Sequence, residues 1–198
     1  MTADVVIVAT GGANLASLQF ALKRLGTDAL VTDSHDTILA AERVLLPGVG
    51  AAQDTMRRLQ GNGLDSVIPK IESPVLGICL GMQLLFTSSA EDDASCLGII
   101  DGRAMRLEVG VSRPVPQMGW NAIDPVEGNP LFEGIPPGSY CYFVHSYALP
   151  VAATTIATAE YGTPFAAASQ QDNFYGTQFH PERSGDIGAR ILRNFLAL

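Results

Sequence analysis

Charge is scarce in this 198-residue chain, at 16% of residues, and basic charge is scarcest: 12 Lys and Arg stand against 20 Asp and Glu, for a net −8. With no cluster of basic residues the chain lacks the electrostatic footprint of a nucleic-acid partner. Cysteine is almost as rare. The three present, Cys79, Cys96 and Cys141, fall into no Cys-x-x-Cys or Cys/His ligand spacing, so neither a disulfide framework nor a metal site is expected. Cys96 and Cys141 read as reduced structural thiols. No apolar run approaches the ~20 residues needed to span a bilayer, and the first residues carry no basic stretch of the kind that opens a secretory signal. A cytoplasmic location with no membrane contact follows as an expectation. Internal repeats and low-complexity segments are absent, and there is one tryptophan, Trp120.

What is present is an apolar core in waiting. At 47% hydrophobic residues, a chain of this length buries roughly 70% of its unfolded surface as one domain, here residues 1–198. The pattern alternates strand and helix. Residues 4–8 form a continuous apolar strand. Asn14 is placed to cap a helix whose Leu15, Leu18, Leu22 and Leu25 share a face before Gly26 ends it. Residues 29–32 and 44–46 read as buried strands, 51–59 and 64–71 as helical, and 75–78 as a strand. From about 96 to 180 come short β segments and Pro/Gly loops, then a last helix over about 186–196. This order predicts an α/β fold with a central, mostly parallel mixed sheet flanked by helices, its reactive groups at the carboxyl ends of the strands. Gly11-Gly12 follows a strand but lacks Gly-x-Gly-x-x-Gly spacing, so no dinucleotide site is expected. His35, among Asp33, Ser34 and Asp36, reads as part of a solvated loop.

Two motifs carry chemistry. In Gly77-Ile78-Cys79-Leu80-Gly81 a cysteine stands between two glycines where an apolar strand meets an apolar helix. A lone cysteine in an apolar run is ordinarily buried and inert, but this layout is that of a nucleophile elbow. The small neighbours let a sharp turn project the side chain outward, and the helix aims its free N–H groups at the sulfur. In Gln178-Phe179-His180-Pro181-Glu182, His180 and Glu182 are two apart, so on an extended segment both leave one face and the acid can orient the base. Cys79, His180 and Glu182 thus supply nucleophile, base and orienting carboxylate. Acyl transfer to a thiol also needs N–H donors for the developing oxyanion. Leu80, just after the nucleophile, offers one, and the loop Pro47-Gly48-Val49-Gly50 offers another through Val49 or Gly50, its glycines letting a peptide point either way. Gln83, four residues beyond Cys79, rises on the same helix face as the nucleophile.

These motifs, in this order, resemble the class I, triad-type glutamine amidotransferases. The shared features are Gly77 to Gln83, Gln178 to Glu182 and the Leu46 to Gly50 loop. Val115-Pro116-Gln117-Met118-Gly119-Trp120-Asn121, Tyr142-Phe143-Val144-His145-Ser146-Tyr147 and Pro47-Gly48-Val49-Gly50 are similar to the branch that serves imidazole glycerol phosphate synthesis. The matches run from about residue 5 to 196. The resemblance implies hydrolysis of glutamine to glutamate and ammonia without a cofactor. It also implies a (β/α)₈-barrel synthase partner in a heterodimer, which uses the ammonia to form imidazole glycerol phosphate and aminoimidazole carboxamide ribonucleotide in histidine biosynthesis. It assigns Gly48, Gly50 and Gln83 to substrate binding, with backbone groups near His145 and Ser146. Glu91 either binds the substrate's α-amino group or is a solvated acid beside Asp92 and Asp93. The His145 side chain reads as a hydrogen-bonded strand histidine outside the catalytic set.

A partner that receives ammonia must cover the carboxyl ends of the strands, which nominates Pro116, Gln117, Met118, Trp120, Asn121 and Arg183 as its contact rim. Trp120 is either an interface anchor or a core aromatic. Two departures stand beside the matches: Ala9-Thr10 replaces the acidic and aromatic pair common in the branch, and Gln117 stands where many members have His. The rival readings are the same chemistry serving anthranilate, guanylate, aminodeoxychorismate or pyridoxal phosphate synthesis, and a catalytically silent regulatory subunit.

Overall fold

The computed structural model describes residues 4–11, 15–48, 50–108, 110 and 113–198. Asn14, Gly12 and Val49, to which the sequence pointed as helix cap, rejected dinucleotide glycine and oxyanion donor, lie outside them. The first half alternates: β1 (Val5–Val8), α1 (Leu15–Arg24), β2 (Leu30–Thr32), α2 (His35–Leu39), β3 (Arg43–Gly48), α3 (Ala52–Gly61), β4 (Val75–Cys79) and α4 (Leu80–Leu85). Then strands dominate: β5 (Phe86–Ser89), β6 (Ala94–Ser95), β7 (Ile100–Arg106), β8 (Gln117–Pro125), β9 (Ser139–His145), β10 (Tyr147–Ala148), β11 (Thr155–Tyr161), β12 (Thr163–Gln171) and β13 (Phe174–Thr177). The helix α5 (Gly185–Ala197) closes the chain.

Nine strands form one sheet in the order β2-β1-β3-β4-β13-β12-β11-β8-β9. The run from β2 to β13 is parallel, and the pairings from β13 onward to β9 are antiparallel. A smaller sheet has the order β10-β7-β5-β6. The continuous apolar character of the parallel strands has a simple cause, since both faces are covered. Along β1, Val5 and Ile7 enter a core with Leu18 and Leu22 of α1 and Ile191, Leu192 and Phe195 of α5. Val6 and Val8 enter a second core with Met56 and Leu59 of α3 and Leu84 of α4. Gly26 ends α1 as its composition suggested, at φ +82°, with its N–H and that of Thr27 returning to Lys23 and Leu22.

Two local expectations fail. Residues 64–71 are not one helix but two 3₁₀ turns, Leu64–Ser66 and Ile68–Lys70. Pro69 lacks the N–H that a continuing helix needs, so the chain restarts around it. His35 does not sit in a loop; it opens α2, and although exposed, its Nε2 lies 2.7 Å from the Asn62 carbonyl. Ile38, buried on the next turn, supplies the packing that the polar composition around it concealed.

Candidate active site

At the carboxyl end of β4 the chain turns into α4 within one residue. Cys79 takes that turn at φ 55°, ψ −112°, a conformation that costs an L-residue of order 1–3 kcal/mol. Parallel pairing holds it there, with Gly48 beside Cys79 and Thr177 beside Ile78. The flanking glycines are required by contact. A Cβ on Gly81 would fall against the carbonyl oxygen of Leu46, and one on Gly77 would stand 2.7 Å from the Gly81 carbonyl. Cys79 is 8% exposed at the mouth of this turn.

His180 arrives from β13, the neighbouring parallel strand. Its N–H donates to the Tyr142 carbonyl at 2.9 Å, and its carbonyl accepts from Ser184 Oγ at 2.7 Å, so the backbone is clamped on both sides. His180 Nδ1 lies 2.8 Å from Glu182 Oε1, both side chains buried. The contact does not arise as the spacing suggested. Glu182 is not on an extended segment with His180 but in a single 3₁₀ turn, Pro181–Arg183, capped by His180. Pro181 fixes the first φ of that turn, which folds the carboxylate back onto the ring.

The second ring nitrogen, Nε2, is buried with no hydrogen-bond partner among the described residues, and the Cys79 sulfur acts on the ring. Burial opposes a charge on this imidazole. Interaction with the Cys79 sulfur and the Glu182 carboxylate outweighs it and raises the pKa to about 10. A ring of that kind is an imidazolium at neutral pH. The other two thiols are protonated there: burial lifts Cys141 to about 12, and burial with the charge of Glu91 lifts Cys96 to about 11.

Cys79 and His180 open into a cavity of about 420 Å³. Its walls bring together the nominated substrate residues Gly48, Gly50, Gln83, Glu91, His145 and Ser146, with Leu80 beside the sulfur. Gly50 is at φ +91°, a conformation that glycine tolerates at no steric cost. Two assignments change in detail. The Gln83 amide nitrogen is engaged within the protein, donating to the Tyr147 carbonyl at 2.8 Å and to Gln178 Oε1 at 2.9 Å, so only its oxygen is left for a ligand. Glu91 is not a free acid, because its Oε2 accepts from the N–H of Ala52, the first residue of α3, at 2.8 Å. His145 is held at both nitrogens, Nδ1 by the Tyr147 carbonyl at 2.8 Å and Nε2 by the Gln117 amide at 2.9 Å.

The nominated rim divides. Met118 and Trp120 are exposed, at 66% and 56%, and Trp120 is therefore no core aromatic. It meets Tyr142 edge to face at 6.0 Å, and the Arg183 guanidinium covers the Tyr142 ring at 4.3 Å. Pro116 and Arg183 also line the cavity, so the exposed aromatic strip and the cavity mouth are continuous. Asn121 is half-buried and donates to the Glu160 carbonyl. Gln117 does not belong to the rim. Strand alternation along β8 turns it inward, 4% exposed, onto His145. Ser184 and Gln178 were not singled out from the sequence. Ser184 braces His180 and also accepts from the Tyr142 N–H, and no local pattern marks it. Gln178 was visible only as part of the Gln-Phe-His-Pro-Glu run.

The family model for "Glutamine amidotransferase class-I" matches residues 10–198. The imidazole glycerol phosphate synthase subunit HisH of Vibrio cholerae is 48% identical over 204 residues, with all of both chains covered. That of Shewanella sediminis is 50% identical over 198 residues, covering 98% of this chain and 90% of its own. The chain belongs to the class I glutamine amidotransferases. Among solved structures, a glutamine amidotransferase superposes with a TM-score of 0.77 at 19% identity, covering 98% of this chain and 97% of its own. PurLQS of Thermotoga maritima gives 0.73 at 19% identity, covering all of this chain and 99% of its own. At that identity these two speak for the fold, and they agree with the α/β architecture. Among the described residues no helix is long and apolar enough to cross a membrane.

Proposed function

We propose that the chain is the glutamine-hydrolysing subunit of an imidazole glycerol phosphate synthase, working in the cytoplasm, with Cys79 as nucleophile, His180 as acid and base, and Glu182 as the carboxylate that holds the imidazole. The observation that carries this reading is the buried Glu182–His180 pair beside a cysteine strained onto an elbow, in a chain that matches HisH subunits along its whole length. With His180 held as an imidazolium, the proton that the leaving nitrogen needs is already on the ring. The sulfur adds to the side-chain amide carbon of glutamine, and the oxyanion is held by the Leu80 N–H and a donor from the Gly48 to Gly50 loop. His180 gives its proton to the leaving nitrogen, ammonia departs, and water activated by the now neutral imidazole cleaves the γ-glutamyl thioester. Glu182 stabilises the imidazolium at each stage at which it forms.

The ammonia passes to a (β/α)₈-barrel synthase subunit. Met118, Trp120 and the Arg183–Tyr142 stack, at the mouth of the cavity, have the exposed aromatic and Arg character of an interface anchor. Glutamate release measured with and without the cognate barrel protein tests the assignment. Release that depends on Cys79 and rises when the barrel binds is expected. Release that responds instead to an anthranilate or pyridoxal phosphate synthase subunit would reassign the acceptor, and no release in any complex would favour a silent regulatory subunit.

A further inference from the structure

We propose that Gln178 is an additional catalytic residue, its side-chain amide donating to the Cys79 sulfur, and that Gln83 is the positioning residue that keeps the nitrogen of that amide turned to the sulfur. The inference rests on Cys79 being the nucleophile. Gln178 is fully buried, and its Nε2 lies 3.7 Å from Sγ, a length suited to an N–H donor on sulfur. Besides His180, the sulfur has a further polar neighbour, the Val144 carbonyl at 3.6 Å, which can only accept a hydrogen bond. The two partners therefore suit different states of Cys79. The carbonyl takes the proton of a thiol, and the amide donates to the anion.

An amide facing a sulfur could present either end, and the surrounding groups decide which. The Tyr147 carbonyl has no proton to give, so the Gln83 group facing it at 2.8 Å must be the NH₂. The same NH₂ faces Gln178 at 2.9 Å, so Gln178 must turn its oxygen toward Gln83. Its own NH₂ is left for Sγ. The Tyr147 carbonyl is anchored from the other side by His145 Nδ1 at 2.8 Å. Burial, chiefly, lowers the pKa of this second histidine to about 4, so it is neutral and carries its one proton on Nδ1. Its Nε2 is then an acceptor, so the Gln117 amide, placed with Oε1 at 2.9 Å from it, must be exchanged end for end about its last bond to present the NH₂. Every donor in the chain Gln117, His145, Tyr147, Gln83, Gln178, Cys79 then has one direction, set by a backbone carbonyl. The charged and titratable groups that share the cavity with the sulfur are His180, with Glu182 behind it, Glu91, Tyr147 and Arg183; His145, packed against the rings of Phe143 and Phe165 at 5.6 and 5.3 Å, stays uncharged.

The test measures iodoacetamide modification of Cys79 against pH, and glutamine turnover of the complex with the barrel subunit, in Gln178→Met, Gln83→Met and the double variant. Methionine keeps the volume and removes the amide. A hydrogen bond to a charged acceptor contributes enough for about a tenfold effect, so Gln178→Met should lower kcat by about tenfold and move the midpoint of the modification profile up by roughly one pH unit. Gln83→Met should move the modification profile by a smaller amount in the same direction, and the profile of the double variant should match that of Gln178→Met, since a freed amide no longer matters once it is gone; turnover does not enter that comparison, because Gln83 also lines the substrate cavity. Should the Met variant fail to fold, Gln178→Asn retains a buried amide one methylene short of the sulfur and should show the same loss. An unchanged modification profile, or profile shifts that simply add in the double variant, would overturn the proposal and leave Gln178 a packing residue. Cys79→Ala measured alongside separates the two levels: glutamine hydrolysis surviving in that variant removes the nucleophile assignment itself, whatever Gln178 does.

Discussion

Replacing Glu182 by Gln removes one charge and almost no volume from the buried pair at 2.8 Å from His180. The amide oxygen can still accept from Nδ1, so the loss is that between a charge-assisted and a neutral hydrogen bond. Those are worth about 1.5–3 and about 0.5–1.5 kcal/mol, a difference of roughly 1–1.5 kcal/mol, or about tenfold in rate. That is a lower bound, because Glu182 Oε2 is buried without a partner. In the variant either an NH₂ sits there unsatisfied or the amide flips and imposes the wrong tautomer on the ring. Turnover of the assembled complex, followed as glutamate, should therefore fall at least about tenfold. Stability carries an independent signature. The His180 pKa is raised in the folded protein, to about 10 against an ordinary 6.5, so its contribution is fully present below pH 6.5 and is lost as the pH climbs through 10. Melting temperature of the parent chain should decline across that window, and the decline should be shallower in Glu182→Gln. Turnover within about twofold of the parent, with an identical pH dependence of melting, would refute the argued role of the carboxylate.

Gly81→Ala drives a Cβ into the Leu46 carbonyl and should destabilise by about 3 kcal/mol, lowering the melting temperature by roughly 6–12 °C; an unshifted melt would mean that the elbow is looser than described. Cys79→Ala in the complex should lose product formation from glutamine and keep it from added ammonium salts, and loss of both in an assembled complex would give Cys79 a role outside hydrolysis. Cys79 should be modified by iodoacetamide well before Cys96 or Cys141, whose thiols burial keeps protonated; equal labelling of all three would speak against an activated sulfur. Trp120→Ala should weaken barrel binding by about 2 kcal/mol, near thirtyfold in Kd, without lowering the melting temperature, whereas unfolding would mean that the exposed indole is structural.

The elbow and the parallel half of the sheet were legible because contacts local in sequence specify them. Gly77 and Gly81 flank Cys79 within one turn, and β1, β3 and β4 are apolar on both faces because both faces are covered. The parts that stayed hidden depend on pairings distant in sequence. Gln117 looked like a rim residue beside Met118 and Trp120 until the pairing of β8 with β9 set it opposite His145 and turned it inward. The meeting of Gln83 with Gln178 spans 95 positions, and no periodicity reports it. The contact between His180 and Glu182 was expected for a mistaken reason: a two-residue spacing suits a strand face, but Pro181 makes it a turn.

The central claim, that Cys79 is the group that attacks the side-chain amide of glutamine, is tested most directly by 6-diazo-5-oxo-L-norleucine, an electrophilic glutamine analogue, with the complex read by intact mass and peptide mapping. The account predicts one adduct per chain, on Cys79, formed in step with loss of glutaminase activity, slowed by glutamine and absent in Cys79→Ala. Stoichiometric inactivation with the adduct on any other residue, or full inactivation of glutamine hydrolysis with Cys79 left unmodified, would contradict it.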